Sequence, residues 1–265
     1  MASQAGSDHA FTASDASRCV TESLIRHHQQ DYQGATQAPF LEAAGLGQVG
    51  KTLLSQWLSQ DRLYAQGYVR FIGMLLSKSR LPTAAGTTGI DWQVIDLLIS
   101  SLTNIKKELE FFEDVAKRYG LDLEAPWPGE DRFGPTPITR GYLDLFMNAA
   151  SPGAPLLEGM VVLWATEKCY YSAWLFALHS TSRRQPPRND ESELPDADGG
   201  ALRCEFIPNW TSDEFRDFVL QIGNLVDELA SLEEQEDPRN RARYEEVWKQ
   251  VLWLEARFWP PLEES

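Results

Sequence analysis

Apolar residues recur at three- and four-residue steps along most of this chain, over stretches far longer than a strand. The clearest runs over residues 49–77, where Leu54, Trp57, Leu58, Tyr64, Tyr68, Phe71 and Leu75 fall on one helical face. A segment with a 3.6-residue period cannot also alternate with a period of two, so this pattern commits the chain to helices. "VTESLIRHHQQDYQ" reads as a first helix after a Thr21 cap, and a long one is expected over 91–119, stopped by Gly120 with Lys117 and Arg118 in its last turn. Further helices are expected over 138–149, 155–179, 212–232 and 240–259, with Pro238 at the last break. "APWPGEDRFGPTP" is a Pro/Gly loop. No β-branched alternation of strand quality and no internal repeat occurs, so the predicted class is all-α.

The expected organisation is one helical domain over 19–265. A small, polar segment, "MASQAGSDHAFTASDAS", precedes it and reads as a disordered tail over 1–18. A polar insertion around 180–204, containing "STSRRQPPRNDESELPDADGG", reads as a mobile surface loop. The 39 acids against 24 Lys and Arg give a net charge of −15, which opposes binding to nucleic acid and to anionic membranes. No apolar run reaches the ~20 residues that span a bilayer. Three cysteines (Cys19, Cys169 and Cys204) without CxxC spacing argue for a reducing compartment, and a cytoplasmic location is expected.

The sequence is most informative where acids interrupt core-facing stripes. Asp61 and Tyr64 are three apart in "SQDRLYAQGY", Glu167 and Tyr171 four apart in "ATEKCYYSAW", and Glu255 and Phe258 three apart in "VLWLEARFW". Each acid therefore has an aromatic ring about one turn away. Ionised carboxylates facing a core cost several kcal/mol unless paired, so these acids either meet a cation or line a pocket. Arg62 or Arg70 could pair with Asp61, and a distant Lys or Arg with Glu255. The pocket reading fits a flat, nitrogen-rich heterocycle: carboxylates accept from amine and ring N–H groups, and aromatic faces cover the ring. Cys169, about 200° round the helix from Glu167, cannot share its face.

Other chemistries find less support. The four histidines form no ExxH, HExxH or HxH pattern, so no metal site is expected. A haem ligand would require His27 or His28 to turn inward, and surface or capping roles suit them better. "GLGQVGKT" resembles a phosphate loop only superficially, because no strand precedes it; Gly50 to Thr52 reads as a helix start.

At these residues the chain resembles the TenA family of helical proteins, which includes thiaminase II and has the haem-oxygenase-like fold. "QDRLY" corresponds to the family's QDxxY, "LEARFW" to its closing ExxFW, and "GPTPITRGYLDLFMNAA" to the segment before its fifth helix. The family's HPF tripeptide is "APF" here, at Ala38 to Phe40. The resemblance implies that Asp61 holds an aminopyrimidine edge beside Tyr64, that Tyr142 lines the pocket, that Glu255 is the acid/base and that Phe258 stacks. Glu167 occupies the place of the family's nucleophilic cysteine, as in the branch with Glu at that position. The pocket tyrosine of this segment is Tyr170 or Tyr171, and helical geometry favours Tyr171. The implied activity is hydrolysis of a C–N bond in an aminopyrimidine or N-formyl aminopyrimidine derived from thiamin. Catalysis would rest on Glu255, Glu167 and Asp61, with no cofactor or metal, in a homo-oligomer. A non-catalytic ligand-binding or regulatory protein is the alternative, and a haem or metal protein on the same fold a third.

Overall fold

A computed structural model describes residues 19–81, 83, 89–183, 195–234 and 240–262. The expected tail over 1–18 and the break at Pro238 lie outside them, as does the 184–194 part of the expected loop. Ten α-helices occur among the described residues: α1 (Val20–His27), α2 (Gln29–Thr36), α3 (Pro39–Gly45), α4 (Lys51–Lys78), α5 (Ile90–Tyr119), α6 (Pro137–Ala149), α7 (Leu156–Thr181), α8 (Ile207–Trp210), α9 (Asp213–Glu234) and α10 (Asn240–Phe258). A π-helical turn, Leu202–Phe206, leads directly into α8. No strand occurs among the described residues, and the class is all-α.

The centre of the bundle is α7, buried from Leu157 to Ala177 on nearly every side, which is why its sequence is apolar all round rather than striped. It packs against α3, α9 and α10, while α4 packs against α5 and α6. The approach of α3 to α7 is close enough that a Cβ on Gly45 would stand 2.0 Å from the Ala177 carbonyl oxygen. A tryptophan cluster joins these layers: Trp57 lies 5.7 Å from Trp259 and 5.4 Å from Trp174, and Trp174 lies 4.4 Å from Trp210. Phe40 of "APF" packs onto both Trp57 and Trp259.

Several local expectations hold and three change. Gly120 ends α5 in the left-handed region (φ 68°), and Lys51 of "GKT" donates to the Tyr119 carbonyl at that same end. Thr21 does not cap α1. It lies inside the helix, where its N–H and hydroxyl both donate to Asp227 of α9, and Cys19 holds the cap position. The short helices α3 and α8 carried too few turns to show a period. The far end of the expected mobile loop is a built turn: Asp198 is buried and accepts from the N–H groups of Gly200 and Leu202, and Ala197 N–H donates to Gly47. The Asp198 carboxylate takes two of these bonds and a backbone carbonyl the third, which gives these buried N–H groups their partners. Among the described residues no helix is long and apolar enough to cross a membrane.

Candidate active site

The motif "SQD" on α4 divides its work. Ser59 donates to the Ala125 carbonyl, and Gln60, fully buried, donates to Gly134 O and accepts from Thr136 N–H and the Thr139 hydroxyl. These bonds fasten the Pro/Gly loop and the start of α6 to α4, because each buried backbone group needs a partner. Asp61, one residue on, faces a cavity. It pairs with no arginine: Oδ2 accepts a 2.8 Å hydrogen bond from Tyr170 Oη, while Arg62 turns to Leu123 O and Glu124.

From α7 the same cavity receives Glu167 and Tyr170. The expected Tyr171 is not among the lining residues. Measured from Glu167, Tyr170 is rotated about 60° to one side and Tyr171 about 40° to the other, and the cavity lies on the Tyr170 side. Tyr171 packs against Phe215 instead, with ring centroids 5.8 Å apart. Cys169 is fully buried, and that burial pushes its thiol far above the ordinary range, so it is protonated and inert.

Glu255, Tyr142 and Phe258 lie one layer deeper and are not among the cavity's lining residues. The Phe258 ring is 5.5 Å from Tyr142 and 6.1 Å from Tyr64, and Tyr64 is 5.1 Å from Tyr142. Tyr64 is thus in contact with this group and also lines the cavity. Glu255 is only 3 % exposed and forms no ion pair among the described residues. The Tyr142 hydroxyl faces it without a hydrogen bond of ordinary geometry, and among the described residues this buried donor has no other partner.

The cavity encloses about 240 Å³ between α4, α5, α7, α8 and the start of α9. That is below the ~300–1,000 Å³ of pockets for drug-sized ligands, and suits a single ring with a short substituent. Its walls are aromatic, with Tyr64, Tyr68, Phe112, Tyr170, Trp210 and Phe215. Two further lining carboxyls escaped the sequence reading, Glu108 and the exposed Glu214 of α9. Glu108 of α5 accepts from Trp210 Nε1 and, at 3.2 Å, from Asn209 Nδ2. It belongs to a face of α5 with Ser101, Asn104, Ile105 and Phe112, whose helical spacing is legible but whose polar members read as a solvated surface.

Burial dominates the acidity of four of these carboxyls. It raises Asp61 to about 8 against a partial offset from the Tyr170 hydroxyl, and Glu255 to about 8 against an offset from Tyr142. It raises Glu167 to about 7, offset by Tyr68, and Glu108 to about 7, offset by Trp210 and Asn209. Each ionised carboxylate also raises others: Glu108 acts on Asp61 and Glu167, and Asp61 and Glu167 act on Glu255. Near neutral pH the group therefore holds both protonated and ionised members, the condition for acid and base to work side by side. Among the described residues no histidine lines the cavity; His28 stands against Glu245 and His27 against Ser23.

Residues 25–265 match the model of the TENA/THI-4/PQQC family. The chain belongs to that family. A TenA homologue from Pyrococcus furiosus has the same fold, with a TM-score of 0.68 and 26% identity over 91% of this chain and 98% of its own. The fold is therefore the haem-oxygenase-like bundle of TenA proteins. An "Aminopyrimidine aminohydrolase" of Halalkalibacterium halodurans is 23% identical, over 89% of this chain and 92% of its own. A "Probable transcription factor" of Fusarium pseudograminearum is 34% identical over 91% of this chain, and the chain spans only 51% of that relative's length.

Proposed function

We propose that this TenA-family protein is a hydrolase acting on a C–N bond of a thiamin-derived aminopyrimidine, of the branch with glutamate in place of the nucleophilic cysteine. The observation that carries the reading is a ring-sized aromatic cavity whose inner acids, Asp61, Glu167 and Glu108, form no ion pair among the described residues. A ligand with several N–H donors and positive charge supplies what those acids lack. The likeness to the aminohydrolase supports the same substrate class.

In this reading the ring lies among Tyr64, Tyr170 and Trp210, and Asp61 accepts from its amidine edge. Glu167 takes a proton from water as the water oxygen bonds to carbon. The C–N bond breaks, and the departing nitrogen takes its proton from Glu255. With 4-amino-5-aminomethyl-2-methylpyrimidine the products are the hydroxymethylpyrimidine and ammonia; with the N-formyl derivative, formate and the free amine. Glu255 is not among the residues lining the cavity, so the substrate must reach past the lining rings for the proton to pass. No thiolate takes part, since Cys169 is protonated and enclosed. Incubating the protein with both pyrimidines and thiamin, and separating products by chromatography, tests this. Wild type should consume a pyrimidine, and Glu255→Gln should be at least a thousandfold slower with an unchanged circular dichroism spectrum. An unimpaired variant rejects the role of Glu255.

The Fusarium relative's name favours a second reading, a ligand-binding subunit of a regulator. Net charge −15 disfavours direct contact of this chain with DNA, so the regulatory form would bind the pyrimidine without turning it over. Binding without product in the same incubations would select it.

A further inference from the structure

Three acids of the site each have a tyrosine beside them: Asp61 meets Tyr170, Glu255 meets Tyr142 and Glu167 meets Tyr68. The three tyrosines differ in their second partner. The Tyr170 hydroxyl also meets the Trp174 indole, which can only donate. Tyr142 has no second partner among the described residues. The Tyr68 hydroxyl meets both Glu167 of α7 and the Ser101 hydroxyl of α5. Ser101 is buried, and its own proton goes to the Leu97 carbonyl at 2.9 Å, so its oxygen is left to accept. Packing fixes where the phenol stands. Tyr68 lines the cavity but is only 2 % exposed, with Phe71, Phe146 and Tyr64 around its ring. Burial also raises its acidity range far above the ordinary one, so the hydroxyl can turn its proton but not lose it.

We propose that Tyr68 is the positioning residue for Glu167, holding it in place both before and after it takes the proton from water. Facing the ionised Glu167, the Tyr68 O–H donates to the carboxylate. In the hydrolysis proposed above, water loses a proton to Glu167 as its oxygen bonds to carbon. The Tyr68 O–H then swings to Ser101, and its oxygen accepts from the new Glu167 O–H. No proton enters or leaves the tyrosine, and the acid keeps a partner in both states, so it need not turn away at the moment of transfer. The other titratable groups lining the cavity with Glu167 are Asp61 and Tyr64 of α4, Lys107 and Glu108 of α5, Tyr170 of α7 and Glu214 of α9. Glu255 of α10 does not line it but feels the Glu167 charge, and the charge acting on Glu167 itself is that of Glu108. These groups stay constant when Tyr68 or Ser101 is changed. The role in catalysis rests on the hydrolase reading.

The test compares the full chain as wild type, Tyr68→Phe and Ser101→Ala, each with an unchanged circular dichroism spectrum. Phe keeps the packed ring, and Ala suits the interior of α5. Two titrations are followed. One is the acid limb of kcat/KM for 4-amino-5-aminomethyl-2-methylpyrimidine, in which the substrate's own ionisation is common to all three proteins. The other is the carboxyl infrared band of the unliganded protein that Glu167→Gln removes. Tyr68→Phe takes the stronger, charge-assisted bond from the ionised acid, so both midpoints should rise by about one pH unit, with KM within about threefold of wild type. Ser101→Ala removes the acceptor that serves the protonated acid, so both midpoints should fall by about half a unit. Residues that only pack would not give shifts of opposite sign. A missing shift in either variant, or shifts of one sign in both, overturns the inference. Wild type that turns over no pyrimidine overturns the hydrolase reading and with it the use of Tyr68 in catalysis, while the infrared titration still decides whether Tyr68 and Ser101 govern the proton on Glu167.

Discussion

Replacing Asp61 by Asn should stabilise the protein, by an amount that grows with pH. Asp61 is 3 % exposed, and its carboxyl is raised from 3.8 to about 8, chiefly by burial. Below pH ~4 the group is protonated whether the chain is folded or not, and the substitution is nearly neutral. Between ~4 and ~8 the unfolded chain releases a proton that the native state keeps. Stability then falls by ~1.4 kcal/mol per pH unit, and the loss is complete above ~8. Asparagine has no such proton, and its carbonyl can still accept from Tyr170. From pH 5 to pH 8 the advantage of Asp61→Asn should therefore rise by about 4 kcal/mol if Asp61 titrates alone, and by ~2 kcal/mol if neighbouring carboxyls share the proton. Urea unfolding of both proteins at pH 5 and pH 8, followed by circular dichroism, gives the difference directly. A pH-independent difference, constant within ~0.5 kcal/mol, would refute the claim that burial holds a proton on Asp61. The same variant should lose affinity for the aminomethylpyrimidine, showing that the acid is kept at a cost in stability.

Tyr170→Phe removes the 2.8 Å bond to Asp61, and by the ~0.5–1.5 kcal/mol of a bond to an uncharged acceptor it should weaken ligand binding about three- to tenfold. Tyr171→Phe should change binding less than twofold, and equal effects of the two would contradict the orientation of α7. Cys169 should resist a thiol reagent in the native protein while the exposed Cys204 reacts, and Cys169→Ala should retain turnover within threefold. Rapid labelling of Cys169, measured by peptide mass spectrometry, would refute its burial.

Helix positions were legible because an amphipathic period is a local property: residues 49–77, 91–119 and 240–259 each carried enough turns to average out exceptions. Asp61 was legible for the same reason, since an acid on an apolar stripe must face either a partner or a cavity. Glu108 was not. It sits on the polar part of α5, and what takes it out of solvent is Asn209 and Trp210, about a hundred residues later on a one-turn helix with no period of its own.

Depth was equally invisible. Asp61, Glu167 and Glu255 look alike in sequence, each an acid with an aromatic one turn away. Only the packing of the helices shows that Asp61 and Glu167 line the cavity and Glu255 does not. The choice between Tyr170 and Tyr171 turns on the side of α7 that meets α4, and a helical wheel leaves both within ~60° of Glu167. By itself, then, the sequence determined that the chain is helical, that its acids face inward, and that the thiol of α7 cannot share a face with Glu167. Tertiary structure alone decided which acids meet in one cavity, and that Glu108 joins them, because a cavity is built from faces of several helices and no single period records how those faces meet.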